Sequence, residues 1–122
     1  MRNIIISNNP LVAEKYENVF FVDGSVEETL VKVRDLVYEG HELVSHPLAA
    51  SLRVLFSPYR SVIVANQCEQ LNFDHAEIIE GSICKYKKHM DVRKADEANS
   101  DDYKTVDLLL LQSALNDEKG KW

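Results

Sequence analysis

Three short runs without a polar residue constrain this chain more than any other feature: Ile4-Ile5-Ile6, Val19-Phe20-Phe21-Val22 and Val62-Ile63-Val64. A strand with one wet face alternates apolar and polar positions. A run that stays apolar throughout is the pattern of a strand covered on both faces, as in parallel sheets. The expected fold is therefore α/β. It has a mostly parallel sheet of about four to five strands with helices on both faces, a Rossmann-like or flavodoxin-like three-layer sandwich. Two further strands are expected at Glu42 to Ser45 and, as an edge, at Leu52 to Phe56. With 122 residues the chain reads as one domain over 1–122, long enough to bury a core without a disulfide or a metal.

The intervening segments read as helices. Asn9 can cap a short helix that opens on Pro10 and runs to about Tyr16, because a proline at the first helical position loses no hydrogen bond. Ser25 and Glu28 have the spacing of a capping box. After them Val26, Leu30, Val33 and Val37 share one helical face, Leu36 widens it, and Gly40 is placed to end the helix in a left-handed conformation. A third helix is expected from a cap at Asp74, with Phe73 and Ile78 as a hydrophobic staple and Ile79, Ile83 and Tyr86 on its stripe. Lys87 to Ser100 reads as an exposed charged connection. The last helix starts near Asp101 and Asp102, whose charges suit its N-terminal end. It carries Leu108, Leu109, Leu110 and Leu111 in succession. Four leucines in a row cannot share one stripe, so the helix is either sandwiched between the sheet and the 87–100 connection or covered by a second copy, and a homodimer through this C-terminal helix is the expectation.

Charge and motif content exclude several classes of function. The formal net charge is −6, and no basic face of the kind nucleic acid requires is evident, so no nucleic-acid partner is expected. No stretch approaches the length of a membrane span, and the apolar run near the start is too short for a signal peptide, so no membrane partner and a cytoplasmic location are expected. Cys68 and Cys84 form no CxxC pair and read as reduced thiols. His41 and His46 are five apart, a spacing that puts them on different faces of a helix or a strand, so no metal site is expected. The glycines are scattered singly and form no phosphate loop or nucleophile elbow, and no cofactor is expected.

One arrangement points to a site. Each expected strand ends in small polar residues: Ser7-Asn8-Asn9, Asp23-Gly24-Ser25, Ser45-His46 and Asn66-Gln67. In a parallel sheet these ends share the edge where open α/β proteins bind ligands, and helix N-termini near Asn9 and Ser25 would favour an anion there. The candidate ligand-binding set is Asn8, Asn9, Asp23, Ser25, His46, Ser51, Tyr59, Arg60 and Asn66. Turn and cap chemistry alone accounts for the same residue types. No catalytic residues can be assigned from spacing.

The segments IISNNPLV from Ile5, RDLVYEGHELVSHPLAAS from Arg34 and SPYRSVIV from Ser57, with Ile78-Ile79-Glu80, resemble the GrdX family. The chain departs from that pattern at Ala50, where the family has Gly, and at Arg53-Val54, where it has Lys-Pro. The resemblance implies a cytoplasmic accessory protein of reductive glycine, sarcosine or betaine fermentation in anaerobes. It implies components of those reductases as partners and carries over no catalytic residue. The alternative from the residues themselves is a small-ligand or anion-binding module, or a small enzyme, with its site at the strand ends.

Overall fold

The computed structural model describes residues 3–48, 55–67, 69–92 and 94–117. In chain order these form β1 (Asn3–Ser7), α1 (Pro10–Lys15), β2 (Val19–Phe21), α2 (Val26–Glu39), β3 (Ser61–Ala65), α3 (Phe73–Val92) and α4 (Ser100–Asp117). The sheet has three strands in the order β2-β1-β3. β1 pairs parallel with β2, Ile5 opposite Val19, and antiparallel with β3, Ile5 opposite Ile63.

This corrects the expected mostly parallel sheet of four to five strands: the sheet is small and mixed. The expected strand at Glu42–Ser45 is reduced to one antiparallel bridge, Leu43 to Val64. The amides of Val44 and Ser45 both turn to the Ile63 carbonyl at 2.8 and 3.2 Å, and the Ser45 hydroxyl replaces a backbone acceptor for the Ile63 amide at 2.9 Å. A regular ladder cannot continue through such a doubling. Of the expected Leu52–Phe56 edge, residues 52–54 lie outside the described residues, and Leu55 and Phe56 form no strand. The reversal of β3 has a mechanical origin. α2 carries the chain from the Ser25 end of the sheet to the far end, where His41 Nδ1 meets the Ala65 carbonyl. Residues 42–45 then run back beside β3, so β3 must start at the end the chain has regained.

Helices cover both faces of the sheet, and β1 feeds a core on each. Ile6, Val62 and Val64 join Val26, Leu30, Val33 and Val37 of α2 and Ile79, Ile83 and Tyr86 of α3. Ile5 and Ile63 join Val12 of α1 and Leu111 of α4 on the other face. The Asn9 cap, the Ser25–Glu28 capping box and the left-handed Gly40 stand as the sequence implied. α3 differs from expectation in two ways. Asn72, not Asp74, caps it, accepting from the His75 amide at 3.1 Å, and the helix continues through Lys87 and Lys88 to Val92. Its capping oxygen lies one residue before Phe73, which is 78% exposed. Cys84 is a free, exposed thiol on α3, and Cys68 lies outside the described residues.

Two glycines make opposite demands. Gly40 has φ +112°, and a Cβ there would collide with the backbone of Glu69, whose amide donates to the Gly40 carbonyl at 3.1 Å. Gly81 sits mid-helix on α3 with nothing within 4 Å of the place a Cβ would take. Gly40→Ala should lower the unfolding free energy by about 2 kcal/mol or more, combining left-handed strain with the collision. Gly81→Ala should raise it by roughly 0.5–1 kcal/mol through helix propensity alone. Urea unfolding of the two variants checks both signs.

Candidate functional site

The mixed topology gathers loops at one end of the sheet. The ends of β1 and β2, the start of β3 and the N-terminal half of α4 meet there. Ser7 and Asn9 are fully buried, and Asn8, Ser57, Arg60 and Asp107 nearly so, a concentration of polar groups that must satisfy one another away from water.

They do so in two knots. In the first, Asn8 donates through Nδ2 to the carbonyls of Gly24 at 3.0 Å and Pro58 at 2.9 Å, and its Oδ1 accepts from the Arg60 amide at 2.9 Å. One side chain thus ties the β2–α2 turn to the segment entering β3. In the second, Asn9 Nδ2 donates to the Lys104 carbonyl at 2.9 Å and to Asp107 Oδ2 at 3.0 Å, while its Oδ1 caps α1 by accepting from the Leu11 amide. Ser61 Oγ donates to the same Asp107 oxygen at 2.7 Å and lies 2.7 Å from Ser7 Oγ. Tyr59 hydroxyl and Ser100 Oγ, 2.8 Å apart, add a tie to the start of α4, and Lys104 Nζ lies 5.7 Å from the centre of the Tyr59 ring. An asparagine side chain has two N–H donors and one carbonyl acceptor. Asn8 and Asn9 each spend both donors and the acceptor within the protein.

Arg60 and Asp107 are the buried charges of this end. Burial pushes the Arg60 guanidinium below its usual value, and the Asp107 charge works against that shift. Burial likewise pushes the Asp107 carboxyl up, opposed by the hydrogen bonds from Asn9 and Ser61 and by the Arg60 charge. Burial also raises the Tyr86 phenol on α3, opposed by the Arg60 charge.

The candidate residues divide by position. Asn8, Asn9, Asp23, Ser25, Tyr59 and Arg60 lie at this end. Ser25 spends its hydroxyl on the Glu28 amide at 3.1 Å, and Asp23 is exposed in the turn. His46 lies apart, in a groove of about 530 Å³ against α3 with Glu77, Ser82 and Lys85, its Nδ1 accepting from the Leu48 amide. Asn66 follows β3 at the opposite end of the sheet, and Ser51 lies outside the described residues. Sequence reasoning missed Ser57, Ser61, Lys104 and, above all, Asp107. A signal for Asp107 existed. It lies four residues before Leu111 and seven before Ala114, a carboxylate on the inward arc of an otherwise apolar stripe. Among the described residues no group of three or more His, Cys, Asp or Glu could hold a metal ion, and no helix is long and apolar enough to cross a membrane.

Removing the Asp107 carboxylate takes away the buried acceptor shared by Asn9 and Ser61. Asp107→Ala should cost about 3 kcal/mol of stability, and Asp107→Asn less, since an amide oxygen still accepts from Ser61. The pH dependence has a definite sign. A carboxyl raised in the folded state binds its proton more tightly there than in the unfolded chain, so its contribution falls as pH rises from about 3.8 through the raised value. Urea unfolding across that range should show this slope in the wild type and its loss in Asp107→Asn.

The segments that bear the resemblance noted in the sequence are largely structural. Arg34 lies 3.8 Å from Glu80 of α3, Gly40 ends α2, and His41 Nδ1 meets the Ala65 carbonyl at 2.6 Å. No curated protein and no solved structure matches the chain at a significant level. A match to the family described as GrdX-like protein runs over residues 4–116, from β1 to the last turns of α4. That match spans nearly the whole chain and takes in both buried knots, so the chain belongs to the GrdX-like protein family.

Proposed function

We propose that this protein is a non-catalytic, cytoplasmic accessory factor of reductive amino-acid fermentation in anaerobes, serving the glycine, sarcosine or betaine reductase. The family match over residues 4–116 carries the reading, because the family's name links it to glycine reductase operons. The saturated asparagines at the sheet end support a framework role there. Side chains whose hydrogen-bonding capacity is spent internally hold loops in register and offer little to a substrate. A second reading keeps a small anion at the same end, beside Asp23, Ser25, Tyr59 and Arg60; the buried Arg60 cation is the observation that favours it.

Deleting the gene from an organism that carries it beside reductase genes tests the first reading. Reductase activity in extracts should fall several-fold for at least one of glycine, sarcosine and betaine, and wild-type protein should restore it. Unchanged activity with all three substrates would refute the proposal. Shifts of the Tyr59 and Arg60 amide signals on titration with inorganic phosphate would favour the second.

The proposal extends to a homodimer through the C-terminal helix. α4 presents Val106, Leu109 and Leu110 outward, the last two at 57% and 48% exposure, while Leu111 faces the core at 3%. An interface probe must therefore replace Leu109 or Leu110, since Leu111→Glu would strike the core. Light scattering should report a dimer for the wild type and a folded monomer for Leu109→Glu. A wild-type monomer at all micromolar concentrations would rule the dimer out.

A further inference from the structure

The two edges of the sheet are finished differently. Residues 42–45 cover the outer edge of β3 through backbone bonds such as Ala65 amide to Glu42 carbonyl at 2.8 Å. Nothing among the described residues pairs with the outer edge of β2. On its inner side β2 is fully engaged: the Asn18 carbonyl accepts from the Ile5 amide at 2.9 Å and the Val22 amide donates to the Ser7 carbonyl at 2.8 Å. Alternation along a strand then turns the amides and carbonyls of Val19 and Phe21 outward. Exposed edges are usually blunted by charge, proline or a bulge. This one instead carries Phe20 and Phe21, exposed to 48% and 41%.

A groove of about 390 Å³ runs beside this edge, between β2 and α2. Phe20, Val22 and Val31 give it apolar walls, and Glu27, Glu28 and Asp35 bring carboxylates to it. Its one cation, Lys32, is held 4.4 Å from the centre of the Phe20 ring, and Glu27 has a partner in Lys87 at 3.6 Å. The lining is thus apolar within and net acidic around.

We infer that the open edge of β2 and the adjoining groove bind an extended basic segment of another protein by strand addition. Main-chain bonds to Val19 and Phe21 supply the pairing. Alternate side chains of the segment, apolar ones against Phe20, Val22 and Val31 and lysine or arginine beside Glu28 and Asp35, supply the selectivity. The charge distribution decides between occupants. A second copy paired edge to edge would bring a like-charged rim beside this one, whereas a basic strand neutralises it. The inference is independent of the accessory role proposed above, because it rests on the edge of β2 and the charge of the adjoining groove.

The test is amide exchange and chemical-shift mapping of the full chain with two acetylated octapeptides, one alternating valine and lysine, the other valine and glutamate. The basic peptide should slow exchange of the Val19 and Phe21 amides at least tenfold and bind at least tenfold more tightly than the acidic one. Asp35→Lys, on the exposed side of α2, should lose most of that preference with the fold intact. Phe21→Pro, which removes an outward donor, should weaken both peptides. The inference fails if the basic peptide leaves Val19 and Phe21 unprotected at millimolar concentration, or if the two peptides bind equally. It also fails if protection rises with protein concentration alone, which would assign the edge to a second copy.

Discussion

β1 is the constraint on which the rest of the structure depends. It is the central strand of three, and its successive isoleucines point to opposite faces, so Ile5 and Ile6, both fully buried, anchor two separate cores. Each such side chain contributes on the order of 1.5–3 kcal/mol of burial free energy, a large share of the roughly 5–15 kcal/mol by which a domain of this size is stable. Both helical layers pack against it. α1 and α4 pack on the face of the sheet that carries Ile5 and Ile63, and α2 and α3 meet the sheet through Ile6 and its neighbours on β3.

A strand buried on both faces must also end somewhere, and the ends set the chemistry of this protein. Where β1 stops, backbone groups of three loops leave the ladder together. Asn8 and Asn9 supply side-chain substitutes for the missing strand partners, and Asp107 reaches in from α4 to receive Asn9 and Ser61. A buried charge in this position adds little net stability, since desolvation offsets most of what its bonds return. What it contributes is register. α4 meets the sheet through a modest apolar contact around Leu111, and its remaining leucines would tolerate other rotations. Asp107 can satisfy Asn9 and Ser61 from one rotation and one depth only.

Family membership and these observations meet in the same residues. The stretch from Arg34 through His46 carries much of the family resemblance. In the fold Arg34 faces Glu80, His41 meets the Ala65 carbonyl, and the Leu43 amide donates to His75 Nδ1. A histidine whose Nδ1 accepts an amide proton serves the backbone. The surfaces left unspent lie elsewhere, on the outer side of α4 and along the edge of β2. Both expose large apolar side chains, the second with an acidic rim, and neither contains a residue of the candidate ligand set.

The sequence by itself determined the elements whose causes are local. Asn9 before Pro10, the Ser25–Glu28 box and Gly40 act within a few residues, and the periodicity of Val26, Leu30, Val33 and Val37 needs only one turn of context. It also determined that β1 and β3 are covered on both faces, since no polar residue interrupts Ile4–Ile6 or Val62–Val64. Of the candidate site, the placing of Asn8, Asn9, Asp23 and Ser25 at one end followed from the ends of β1 and β2, whereas Tyr59 and Arg60 join them only because β3 runs antiparallel and starts there. The separation of His46 and Asn66 was not, nor was the entry of Asp107 from a point nearly a hundred residues away. Strand direction was decided by the tertiary structure alone. An apolar run such as Val62-Ile63-Val64 reads the same both ways, and only the return of residues 42–45 along the sheet fixes which end of β3 the chain reaches first. The division of the four leucines was decided in the same way. Helical spacing separates Leu109 and Leu110 from Leu111, but which arc turns inward depends on where Asp107 finds its partners.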